Sequence, residues 1–189
     1  QDHVANTMPA PYYRFDGVND YVAVTNNADF DFGTGDFSVI VHAKVDDGGN
    51  YDCFVGRASN WGTSNTGWVL GIYDTKLAFN VTDGSTTYQT NFANSSTIIN
   101  DGAINTLAVT VKKNTVTDAD IYGYVNGVQE GDRRDLTFGD DGDTDNSRNI
   151  EIGKNTSNYL GGSVYKVQIF NTALSATEIK EFSSGASVP

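Results

Sequence analysis

From Phe37 the chain alternates, with Phe37, Val39, Val41, Ala43 and Val45 on one side of an extended segment and Ser38, Ile40, His42 and Lys44 on the other. A period of two marks a half-buried β-strand whose odd positions enter a core. Strands of the same kind are predicted from Tyr12 and at Asp52–Arg57, Gly67–Tyr73, Lys76–Thr82, Thr86–Phe92, Ile104–Lys112, Asp118–Val125, Asn149–Gly153 and Ser163–Phe170, most of them separated by turns containing Gly or Asn. Tyr73-Asp74-Thr75-Lys76 and Val125-Asn126-Gly127-Val128 read as tight hairpins, the second because Asn-Gly tolerates the positive φ angles of a type I′ turn. Strands this closely spaced leave little room for βαβ crossovers, so antiparallel sheets are predicted. One short helix is predicted at Ala176–Phe182, with Ser175 as its N-cap and Glu178 as the capping-box partner. Residues 1–11, with Pro9 and Pro11 unable to donate to a ladder, read as a lead-in segment or linker, and residues 12–189 as a single β-sandwich domain.

Composition narrows the partners more than the fold. A formal net charge of −12 repels a phosphate backbone and an anionic lipid surface, which excludes nucleic acid, and no apolar run is long enough for membrane insertion. Of 24 acidic residues only Glu130, Glu151, Glu178 and Glu181 are glutamates. An excess of Asp belongs to turns and calcium loops rather than to helices. Cys53 stands alone, so no internal disulfide forms, and its strand context predicts a small buried hydrophobe. A chain that starts at Gln1 and not at Met suggests a processed or excised domain.

Two early stretches, Phe15-Asp16-Gly17-Val18-Asn19-Asp20-Tyr21-Val22 and Asp29-Phe30-Asp31-Phe32-Gly33-Thr34-Gly35-Asp36-Phe37, together with the closing Gly161 to Ser175, resemble the laminin-G-like branch of the concanavalin A-like lectin/glucanase superfamily. The likeness runs from about Tyr12 to about Phe182. Ile121 to Val128 is similar to that family's Tyr-Val-Asn-Gly hairpin, and Ile150-Glu151-Ile152-Gly153-Lys154 to a further strand. The resemblance implies a jelly roll of two antiparallel sheets. Two positions depart from it: His42 stands where a Trp is frequent, and Tyr165-Lys166 replaces an acidic pair, which puts a family-type inter-sheet calcium in doubt here.

Glycan-cleaving members of the superfamily set two carboxylates a few residues apart on one strand, as nucleophile and acid. That spacing is missing from this chain. Asp118-Ala119-Asp120 reads as a solvated turn, and His3 and His42 have no identifiable catalytic partner, so the expectation is a protein that is not an enzyme. In Phe138–Asn149 the alternate residues Asp141, Asp143 and Asp145 aim hard oxygens as calcium requires, although an EF-hand match stops there: Asn146 takes the Gly position and Glu151 falls one residue early. An ordinary acidic loop is the competing reading. For sugar recognition the informative group is an exposed aromatic ring, which stacks on a pyranose while amides bond its hydroxyls. Trp61, flanked by Asn60 and Asn65 in a polar loop, fits that description, against the alternative of a Trp folded over the sandwich rim; Tyr159 is a second loop aromatic, whereas Trp68 belongs to a core strand.

These features predict a non-catalytic recognition or surface-display module, extracellular or on a virion surface, that binds a glycan or cell-surface polysaccharide. The ending Ala173 to Lys180 and the phrase around Asp29 to Phe37 also resemble modules of secreted bacterial proteins and of bacteriophage tails, fibres and capsid decorations. The alternative is therefore a virion structural protein held on a virion or parent-protein scaffold, with a glycan-cleaving enzyme the remaining possibility.

Overall fold

The computed structural model describes residues 12–46, 52–58, 66–85, 87–92, 97, 99, 102–139, 141–156 and 158–184. Its strands are β1 (Tyr13–Asp16), β2 (Val22–Val24), β3 (Phe37–Val45), β4 (Cys53–Gly56), β5 (Gly67–Tyr73), β6 (Lys76–Thr82), β7 (Thr87–Asn91), β8 (Ile104–Lys113), β9 (Asp118–Val125), β10 (Val128–Gln129), β11 (Arg134–Thr137), β12 (Ile150–Ile152), β13 (Lys154–Asn155), β14 (Asn158–Tyr159) and β15 (Gly161–Phe170), followed by helix α1 (Ala176–Ser184). A seven-stranded sheet runs β1-β15-β3-β8-β9-β10, with β11 also paired to β9, and a six-stranded sheet runs β2-β12-β4-β5-β6-β7. The small β13–β14 ladder stands apart from both. Every described pairing is antiparallel, giving the two-sheet jelly roll.

Between the sheets, Val39, Val41, Leu107, Val109 and Ile121 meet Phe54, Trp68, Leu70, Ile72, Leu77, Phe79 and Val81 in one cluster. A side chain buried this completely contributes about 1.5–3 kcal/mol by removal from water, so this layer is what holds the sandwich closed. Trp68 and Cys53 are both core residues, as their strands predict. On β3, however, the expected half-exposed face is covered where Ser38 and Ile40 lie. Helix α1 and the turn before it supply the cover: Ile179 of the helix and Leu174 of the turn pack with Ile40, Ala108 and Tyr124, and the Phe182 ring lies 5.2 Å from that of Phe170. Ser38 Oγ joins the two, donating to the Thr172 carbonyl and accepting from Leu174 N–H. At the start of α1 the reciprocal bonds between Ser175 and Glu178 form as their spacing predicts.

Both predicted hairpins are present with positive φ at each central residue: Asp74 (47°) and Thr75 (67°), and Asn126 (52°) and Gly127 (78°). Thr75 is β-branched, a costly occupant of that region. Asp118 to Asp120 are not the solvated turn expected. They open β9, Asp120 is buried, and its carboxylate is paired with Arg133, which immediately precedes β11, a strand whose sequence Arg-Asp-Leu-Thr shows one apolar residue and so no period.

Candidate functional site

The end of the sandwich where β4 leaves its sheet is organised by one cation. Arg57 follows the last residue of β4 and is 1% exposed. Its guanidinium donates to the carbonyls of Phe30, Asn146 and Arg148 and to the side-chain oxygens of Asn26 and Asp31. Five acceptors from two distant loops satisfy a buried charge that would otherwise be very costly. Asn146 answers by donating its amide to the carbonyls of Arg57 (2.7 Å) and Thr66 (2.8 Å). Gly67 makes room for this clamp: a Cβ there would stand 2.2 Å from the Arg57 oxygen and 2.7 Å from the Asn146 amide.

Arg57 and Thr66 flank the segment that carries Asn60, Trp61 and Asn65, three residues that lie outside the described ones. The clamp therefore fixes both roots of that segment beside the acidic loop. Asn155, on β13, adds a bond from its amide to the Ala58 carbonyl at 3.4 Å. Opposite it on the same two-stranded ladder, Lys154 is in register with Tyr159. The Lys154 ammonium sits 4.1 Å from the ring centre of Tyr21 and 5.9 Å from that of Tyr159, and pairs with Glu151 at 3.5 Å. Tyr21 is 45% exposed and Tyr159 half-buried, so two aromatic faces and one cation occupy a single surface patch. Tyr159 was legible from its loop; Tyr21 and Lys154 were not, because nothing in their local sequence brings them together.

In the acidic loop the three alternate aspartates each hold a backbone N–H. Asp141 accepts from Asp143 at 2.9 Å, Asp143 from Asp145 at 2.8 Å, and Asp145 from Gly33 at 2.9 Å. Lys113 reaches in from β8, donating to the Gly142 carbonyl at 2.8 Å with its ammonium 3.5 Å from the centre of the Phe138 ring. Burial pushes that ammonium down to about 8, against the opposing pull of Asp83, Asp143, Asp36 and Asp141. Among the described residues no three His, Cys, Asp or Glu side chains are grouped as a metal site.

The glutamates are dispersed. Glu130 is buried and accepts from Thr97 Oγ1 at 2.5 Å, Glu151 is paired with Lys154, and Glu178 caps α1, a hydrogen-bonded role that holds its carboxyl below the usual range. His42 Nδ1 lies 3.1 Å from Thr106 Oγ1, and burial, helped by Lys166, lowers its pKa. Burial also pushes the Cys53 thiol up, which leaves it an inert core group.

The fold has many solved counterparts. The sialidase CBM40 domain of Ruminococcus gnavus, bound to α2,3-sialyllactose, is similar at 14% identity and a TM-score of 0.65, over 92% of this chain and 98% of that one. The binding domain of Paraclostridial Mosquitocidal Protein 1 (16%, TM-score 0.62) and the receptor-binding domain of a botulinum neurotoxin C/D mosaic (16%, TM-score 0.62) each match over 90% of this chain, which spans only 42% and 41% of theirs. No curated protein is significantly similar. At these identities the likeness shows the fold alone, but the family model extends over residues 16–180. The chain belongs to the laminin-G family of the concanavalin A-like lectin/glucanases superfamily.

Proposed function

We propose that this protein is a non-catalytic carbohydrate-binding module that acts outside the cell. The observation that carries the reading is the Asn146 clamp. It fixes Arg57 and Thr66, which flank the Trp61 segment in sequence, and Asn155 bonds Ala58 from the ladder bearing Lys154 and Tyr159. The ring faces of Tyr21 and Tyr159 with the Lys154 cation beside them are groups a pyranose needs, and paired strands hold them at low ordering cost. Support also comes from the structural counterparts named as carbohydrate-binding and receptor-binding domains.

A glycan array with the intact domain tests this reading, followed by calorimetry on Trp61→Ala and Tyr159→Ala. Loss of about 1–3 kcal/mol of glycan affinity in either variant, with melting temperature unchanged, is the expected result for an aromatic anchor. An array without hits, combined with ordered self-assembly of the domain, would replace recognition by a structural role on a virion or parent scaffold.

A further inference from the structure

Among the described residues, α1 and Leu174 before it cover the face of the seven-stranded sheet turned away from the core around Ile40, Ala108 and Tyr124. Beyond the helix the same face carries a different chemistry. Arg14, Ser163 and Lys44 are cross-strand neighbours in one row over β1, β15 and β3, and Lys166, His42 and Thr106 form the adjacent row over β15, β3 and β8. Between them the register of β15 slips: Val164 pairs with Ala43 and Lys166 with His42, leaving Tyr165 as the extra residue. A bulge of this kind re-aims side chains that strict alternation would send to opposite faces. Tyr165 thereby stacks on Tyr12, with ring centres 5.3 Å apart and planes tilted by 30°, while Lys166 stays exposed beside His42.

The charge at this place is opposite to that of the molecule. Three of the twelve Lys and Arg residues of a chain carrying −12 gather here with His42. Asp46 holds Lys44 at 2.6 Å, and Arg14 bears on the same ammonium as a like charge. Among the described residues Arg14 and Lys166 have no ion-pair partner. Arg14 bears on Lys44 and Lys166 on His42 as like charges, and an anion seated among them relieves that repulsion. A nucleic acid would meet the acidic remainder of the protein and needs a longer basic track than this one. The tilted tyrosine pair offers ring faces of the size of one sugar, and the planar fork of Arg14 matches the two oxygens of a carboxylate.

We infer that the bulged patch of Tyr12, Arg14, His42, Lys44, Tyr165 and Lys166 binds the carboxylate-bearing residue of an acidic oligosaccharide. The inference rests on the carbohydrate-binding reading and adds to it a second face, distinct from the Lys154–Tyr159 patch, and a ligand class.

The test is a titration of the isotope-labelled domain with sialyllactose, trigalacturonic acid, neutral lactose and a sulfated disaccharide, followed by amide spectra and calorimetry, on the wild type and on Arg14→Ser and Lys166→Gln. Both positions are exposed, and a melting curve verifies that each variant is folded. Shifts confined to residues 12–14, 42–44 and 163–166 with a carboxylate sugar, weakened at least tenfold in each variant and by added salt, are expected. Acidic sugars that bind equally well to wild type and variants overturn this inference and leave the module a carbohydrate binder through its other end. No binding of any sugar overturns both. A sulfated disaccharide preferred over the carboxylate sugars overturns the ligand class, and self-association that both variants abolish makes the patch an interface between copies.

Discussion

Arg57 and Asn146 hold each other in both directions: the guanidinium donates to the Asn146 carbonyl, and the Asn146 amide donates to the Arg57 carbonyl at 2.7 Å. The pair lies 89 residues apart in sequence, so it ties the end of β4 to the loop before β12. Since Asn146 also bonds Thr66, one side chain closes the segment 59–65 at its base while Arg57 anchors the 26–31 loop.

Arg57→Met therefore removes the donor that three backbone carbonyls share. Each buried acceptor left unsatisfied costs about 1–3 kcal/mol, so a loss of at least ~3 kcal/mol is expected from urea unfolding. Arg57→Lys restores only part of this, because an ammonium has three donors and no planar fork. Full recovery with lysine would show that charge, not the geometry of the bonds, holds the junction.

The legibility of this molecule in its sequence follows the range of the forces involved. The β3 alternation, the Asn126-Gly127 turn and the Ser175–Glu178 box are local, and each forms where its residues predict. Ser38 and Ile40 read as half-exposed because the helix that covers them comes some 140 positions later. The strands β11, β13 and β14 are too short to show a period. At the candidate site Tyr159 stood out as a loop aromatic, but Arg57 looked like any polar residue at a strand end. Its five acceptors come from segments around 26–31 and 146–148, and no local pattern announces such a meeting. The bulge at Tyr165 was equally invisible, since a one-residue slip is set by pairing partners and not by the strand itself.

Asn80 gives a prediction of opposite sign. It lies on β6, 1% exposed, with both its amide nitrogen and oxygen lacking a partner among the described residues. Asn80→Val removes two unsatisfied polar atoms and adds a better strand former, and it should raise stability by about 1 kcal/mol in calorimetric melting. A lower melting temperature would show that the amide is bonded after all, to a buried water or to a group outside the described residues.

His42 predicts a pH dependence. Burial first, and then Lys166, lower its pKa from the ordinary 6.5, so the unfolded chain takes up a proton at a pH where the folded one does not. The stabilising effect of neutral His42 is complete above pH 6.5 and is lost as pH falls through the lowered value. His42→Gln keeps a hydrogen-bonding group near Thr106 and should flatten the stability profile in that acidic window alone. An unchanged slope would assign the acid sensitivity to other groups.

For the acidic loop we propose that calcium is shared by Asp141, Asp143 and Asp145. Each spends its Oδ1 on a backbone N–H, and the three side chains are not grouped around one point among the described residues, so shared binding requires the loop to draw them together around the cation. The Lys113 ammonium, which feels Asp141 and Asp143, competes for the same charge. Two outcomes follow from that competition. At a hundred times its dissociation constant, calcium bound only by the folded state adds about 2.7 kcal/mol, which a melting curve in calcium against chelator resolves. Lys113→Met should then bind calcium more tightly than the wild type, because the internal cation is gone and the carboxylates remain. Identical melting temperatures with calcium and chelator in both proteins would leave Lys113 as the counter-ion this loop is built around.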